Sequence, residues 1–169
     1  MEDTGTVIAF WLLAAMTLGS AIGVAAVRNL IHAVGMLIMT FAGLAGLYIT
    51  LSADFIAVVQ VLIYIGAIAI LIIFAIVLTP QAGRHNQEGF MRFPALGLGG
   101  LIAATMIYAA LDTDWATSDR PGFEGTATVI GDALLDRYAL PFEIASVLLL
   151  AAVIGAIVLV RPEGMEEDE

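Results

Sequence analysis

FIAVVQVLIYIGAIAILIIFAIVLT, residues 55 to 79, decides the fold of this chain. The stretch carries no charge and exceeds the ~20 apolar residues that span a bilayer core, so it reads as a transmembrane helix. Its β-branched residues would also suit a buried strand, but strands seldom run past ~10 residues. Tyr64 lies ten residues beyond Asp54, which at ~1.5 Å per residue brings its hydroxyl near mid-membrane. Gly66, Ala67 and Ala69 follow, so bulk is low where a single phenol must find a partner. A purely apolar anchor has no need of that pattern.

The rest of the chain has the same character. Of 169 residues 61% are hydrophobic and 13% charged, with a mean hydropathy of +1.01, where a soluble domain is about half apolar and a quarter charged. This is the composition of an integral membrane protein. There is no cysteine, which excludes disulfides, thiolate metal sites, iron–sulfur ligation and thiol catalysis. The net charge of −10 argues against nucleic-acid binding, and five of the acids sit in the tail Glu163 to Glu169, which reads as a solvated end. The start, Met1-Glu2-Asp3 ahead of a long apolar run, does not read as a cleavable signal peptide.

Four further spans flank the central one. Thr6 to Val27 is the first, with Gly19 and Gly23 forming a GxxxG that permits close helix contact. Arg28 and Asn29 lead to the second, Leu30 to Leu51, which has small residues at Gly35, Gly43 and Gly46. Ser52 to Asp54 is a very short hairpin into the third, which Pro80 ends; a polar loop from Gln81 to Arg92 follows. Phe93 to Leu111 is the fourth span, with Gly97, Gly99 and Gly100. The only long connection, 112–141, repeats Ile130, Leu134 and Tyr138 at four-residue spacing while Asp132 and Asp136 point elsewhere. That spacing predicts a short amphipathic helix, lying at the interface or against a neighbour. Phe142 to Val160 is the fifth span, with Pro141 at or just before its first turn, and Arg161 and Pro162 stop it. The reading is one all-α membrane domain of five helices. Arg28, Arg84, Arg92 and Arg161 on one side against Arg120 and Arg137 on the other favour an extracytoplasmic N-terminus and a cytoplasmic C-terminus, with the 112–141 loop outside and the acidic tail inside.

A self-sufficient proton or ion carrier buries carboxylates, lysines or histidines in its spans. Here no carboxylate lies at mid-depth, so any titrating groups used in transport belong to other subunits. Tyr64, with Gln60 one turn before it, fits either a hydroxyl bonded to a backbone carbonyl or another helix, or one on a hydrated path. Gly66 fits either close packing or a distortion such as a π-bulge, a feature that tends to mark functional sites. Glu143 suits a helix N-terminus electrostatically, or contact with a neighbour or a water pocket. Asp54 reads first as the N-cap of the third span, and His32 as a snorkelling side chain near an interface. Two histidines far apart give no metal-ligand spacing, and there is no GxSxG, P-loop or GxGxxG in a strand–helix setting.

Two segments resemble a known family. ADFIAVVQVLIYIGAIAILIIFAIVLT from Ala53, and LLDRYALPFEIASVLLLAAVIGAIVLVRP from Leu134 to Pro162, are similar to the signature third helix and closing motif of subunit J of the proton-pumping NADH-quinone oxidoreductase, respiratory complex I. The five-span layout and the long loop before the last span match as well. The resemblance implies a third helix with a π-bulge beside Tyr64 and Gly66, whose change between π and α forms gates a water path between the quinone region and the pumping subunits. Tyr64, Gly66, Glu143 and Asp54 are then the gating or proton-path candidates, with no catalytic, metal-binding or cofactor-binding residue on this chain. It also implies neighbouring subunits A, H, K and N in a bacterial inner membrane, with FMN, iron–sulfur clusters and quinone held elsewhere in the complex. A multisubunit cation/proton antiporter, a membrane-bound hydrogenase, or a protein that only packs an assembly are the alternatives. The acidic, lysine-free composition departs from the family.

Overall fold

The central stretch forms a single long helix whose winding changes partway along. In the computed structural model, which describes residues 4–79, 92–114 and 125–160, every regular element among the described residues is helical. The helices are α1 (Thr4–Ala26), α2 (Leu30–Thr50), α3 (Asp54–Leu78), α4 (Arg92–Asp112), α5 (Thr126–Leu135) and α6 (Ala139–Val160). All but α5 are long and apolar enough to cross a membrane. Most of their large side chains, Trp11, Leu71, Phe74, Met106 and Leu150 among them, lie on the outside, which suits hydrocarbon and would be unfavourable in water. The chain is an all-α, multi-pass membrane protein. The tail Glu163 to Glu169, the loop residues Arg84 and His85, and Asp119, Arg120, Glu124 and Arg161 lie outside the described residues.

The chain divides into two units, Met1–Glu124 and Gly125–Glu169. In the first, α1 and α3 both pack against α2, while α4 touches none of these three. Without a hydrophobic driving force inside a bilayer, such contacts depend on how closely backbones approach, and so on small residues. On α2, Gly43 receives the Thr17 hydroxyl and the Met16 methyl of α1, and Gly46 receives Leu13: a methyl added at Gly46 would lie 2.6 Å from Leu13 Cδ2. On α1, a methyl at Gly23 would lie 3.2 Å from the Cγ and Sδ of Met36. The GxxxG of α1 is thus half used. Gly19 faces open space, as does Gly35 on α2, because each is turned away from the seam that Gly23, Gly43 and Gly46 share. Threonine hydroxyls are satisfied within their own helices, Thr17 donating to the Leu13 carbonyl at 2.8 Å and Thr40 to that of Met36 at 3.0 Å.

Helix ends are closed locally. Asn29 caps α2, its side-chain oxygen accepting from the Ile31 N–H at 3.0 Å. At the other end Ala53 N–H donates to the Tyr48 carbonyl (2.9 Å) and Ser52 N–H to that of Ile49 (3.0 Å), a Schellman pair. The residue at its left-handed position is Ser52, φ 57°, where glycine is the usual occupant. Replacing Ser52 with glycine removes the Cβ penalty of ~1–2 kcal/mol, partly offset by glycine's greater unfolded-state freedom. The expected outcome is a net gain of about 0.5–1 kcal/mol, read as a raised thermal midpoint of the purified complex. A lowered midpoint would show that the serine hydroxyl contributes more than the backbone strain costs.

In the second unit α5 starts from Gly125, whose φ of 68° favours glycine, and packs on α6. Ile130 and Leu134 are half-buried while Asp132 is exposed, as an amphipathic helix demands. Tyr138, expected to continue that face, lies instead in the turn Asp136–Tyr138, where its N–H bonds the Ala133 carbonyl at 2.8 Å. The last helix begins at Ala139 rather than Phe142, since a proline at the third helical position, Pro141, needs no intrahelical N–H partner.

Candidate functional site

The change in winding lies in the middle of α3. The helix is α over Asp54–Val59, π over Gln60–Ala69 and α again over Ile70–Leu78. A π distortion is usually a single-turn bulge, so ten residues is an extended one. Its effect on packing can be read from the residues turned into the chain. Ala57, Gln60 and Ala69 are buried and Tyr64 reaches α2, so the spacing opens from three residues to five along the segment. An i→i+5 helix imposes that drift.

Tyr64 sits at the centre of the segment. Its ring meets Phe41 of α2 edge to face, centroids 5.3 Å apart at 66°, and 42% of the residue stays exposed. That geometry favours contact through the ring's quadrupole. Gly66 is exposed, and an added methyl would meet only the Val61 carbonyl, at 3.5 Å, an ordinary contact. Close packing therefore does not require glycine there. The carbonyl it would touch is five residues back, the position an i→i+5 helix brings alongside.

Two candidates depart from their expected local roles. Asp54 is the first helical residue and not the cap: Ala53 occupies the cap, its carbonyl accepting from Ala57 N–H at 3.0 Å, with no side-chain cap bond. The hairpin's Schellman pair uses Ala53 N–H and so fixes the chain one residue earlier than a capping aspartate would. Asp54 still favours the helix by its charge in the first turn. Asp54→Asn is expected to lower the melting point of the complex slightly, by less than about 1 kcal/mol, with the difference shrinking as salt is raised. Glu143 lies in the second turn of α6, because that helix starts earlier than expected, and the macrodipole fades within the first turn. It is exposed, and its backbone carbonyl accepts from the Ser146 hydroxyl at 2.7 Å. Asp54, Tyr64 and Gly66 share one helix; Glu143 belongs to the other unit.

Gln60 was not among the expected site residues, yet it is the one polar residue among the described buried ones, 6% exposed at the first position of the π segment. Its signal in the sequence was a lone amide in an otherwise apolar run. Among the described residues no group of three His, Asp or Glu side chains is placed to hold a metal ion.

The family profile of NADH-ubiquinone/plastoquinone oxidoreductase chain 6 matches residues 20–159. The chain is 40% identical over 171 residues to the NAD(P)H-quinone oxidoreductase chain 6 of Leptolyngbya boryana, covering 96% of this chain and 84% of that one. It is 39% identical over 175 residues to the protein of the same name from Synechocystis, covering 96% and 86%. The F(420)H(2) dehydrogenase subunit J of Methanosarcina mazei is 38% identical over 174 residues, 97% of this chain and 99% of that one. With five apolar helices, a π-wound third helix and a profile match over most of its length, the chain belongs to the NADH-ubiquinone/plastoquinone oxidoreductase chain 6 family, the J subunits of complex I, and is a membrane subunit of a quinone oxidoreductase.

Proposed function

We propose that this subunit couples quinone reduction to proton translocation by gating a water path through α3, and that it performs no redox step itself. The observation that carries the reading is the π segment Gln60–Ala69, set between two α segments and bearing Tyr64 and Gly66. A π stretch holds its backbone bonds in a less favoured register than the α form, so the two forms can interconvert. Rewinding would turn Tyr64 relative to α2 and open or close a hydrated axis. The acids that carry protons, like the FMN, iron–sulfur clusters and quinone, then belong to other subunits, with A, H, K and N as the membrane neighbours. The N-terminus is extracytoplasmic and the C-terminus cytoplasmic in a bacterial inner membrane, and Asp54 and Glu143 are further proton-path candidates.

The test is a pair of maps of the intact complex, resting and during turnover. The third helix is expected to be π-wound in one and α-wound in the other, with ordered water along it in only one. An unchanged winding in both states would overturn the proposal. A second reading of the electron donor rests on the Methanosarcina relative, whose name gives F(420)H(2) as its donor and which aligns over nearly its whole length. Oxidation of reduced F420 but not NADH by the purified complex would favour that reading and leave the gating role intact.

A further inference from the structure

The charged residues of this chain are mostly acids, 16 Asp and Glu against 6 basic residues, all of them arginine, for a net charge of −10. Four of the acids stand where their own helices disfavour them. Helix α4 ends on Asp112, with Asp114 just beyond it, and α5 has Asp132 in its last turn and Asp136 as its C-terminal cap. Neither helix has a basic residue in its last turn. The C-terminal end of a helix carries a partial negative charge, so an anion there is repelled and a cation is favoured. All four carboxylates are exposed, and none meets a basic group among the described residues. Arg137, next to Asp136 in the chain, lies over the Tyr138 ring instead, 5.8 Å from its centroid. Such a placement is self-repulsive in dilute buffer, where charges act over ~10 Å, and costs little once the screening length falls to ~3 Å in molar salt. One basic partner surface neutralises one patch. Here excess acid occurs in both units and again in the tail Glu163 to Glu169, which follows the far end of α6 in the sequence.

We propose that the water-facing surface of this subunit is suited to molar salt, with monovalent cations of the medium, rather than basic side chains, balancing the acids at the ends of α4 and α5. Dilute buffer then leaves those acids repelling one another and the helix ends that carry them, and the subunit is held less firmly. None of the four is a gating or proton-path candidate, so salt dependence and coupling are separable properties of the chain.

The test is the thermal midpoint of the intact purified complex in KCl from ~0.1 M to ~3 M, a range over which screening goes from weak to nearly complete. Wild type is compared with two double variants, Asp112→Asn with Asp114→Asn, and Asp132→Asn with Asp136→Asn. The wild-type midpoint is expected to climb with salt. Each double variant is expected to lie above the wild type in dilute KCl and to converge on it in molar KCl, so that part of the salt dependence is lost. If one pair of substitutions disturbs its helix end, the other pair decides. Variants that match the wild type at every concentration, or a wild-type midpoint that falls with salt, overturn the proposal. So do two variants that are both less stable than wild type in dilute KCl, the mark of acids paired with a basic neighbouring subunit.

Discussion

Valine at Gly43 is expected to separate α1 from α2 and to prevent stable incorporation of the subunit into its complex. The added carbons would meet the Thr17 hydroxyl and the Met16 methyl, both on α1. Thr17 cannot turn aside freely, because its hydroxyl is bonded to the Leu13 carbonyl. Relief therefore requires the helices to move apart, which also loosens Leu13 against Gly46 and Met36 against Gly23. Overpacking of this kind costs ~1–3 kcal/mol and more where backbone must shift. Valine at Gly19, which faces open space, supplies the control and is expected to leave stability within ~0.5 kcal/mol. The measurement is the amount and thermal midpoint of assembled complex recovered from membranes. Thr17→Ala in the Gly43→Val background is expected to recover part of the loss, as two residues in contact should. Equal stability of the Gly43 and Gly19 variants would show that this seam does not hold the two helices together.

Valine at Gly66 is expected to act oppositely, sparing assembly and impairing coupling. A Cβ there meets only ordinary contact in the π form, so the subunit can fold and insert. What valine removes is backbone freedom at the point where the proposed gating requires the winding to change, and β-branching stiffens it further. A penalty of ~0.5–1 kcal/mol on the interconversion corresponds to about a two- to fivefold fall in coupled turnover. Proton translocation by reconstituted complex, measured against electron-donor oxidation, checks this, with Gly66→Ala expected to fall between valine and wild type. Normal coupling in an assembled Gly66→Val complex would remove the glycine from the gating mechanism.

The contrast between these two glycines shows what the sequence makes legible. Five apolar runs and their short hairpins can be read directly, because membrane-spanning length and charge exclusion act on composition alone. Which glycines pack cannot, since Gly19 and Gly23 look alike until the seam between α1 and α2 is built. Asp54 and Glu143 were displaced from their expected helix positions by one turn or less, through the backbone bonds of Ala53 and the tolerance of a first turn for Pro141. A π distortion beside Tyr64 and Gly66 was one of two readings the residues allowed, which the family resemblance favoured, and its ten-residue extent was not legible, because π winding calls for no residue type that α winding excludes. The burial of Gln60 was hidden for a related reason: the drift in spacing along the π segment decides which side chains turn inward.

The hairpin at Ser52 has a mechanical consequence. Only three residues, 51–53, join α2 to α3, and the Schellman bonds tie them back to Tyr48 and Ile49. The near end of α3 is therefore clamped, like one end of a torsion rod. Were Gln60–Ala69 to rewind as proposed, the twist would pass mainly to Ile70–Leu78, turning Leu71, Phe74 and Val77 around the axis more than Asp54.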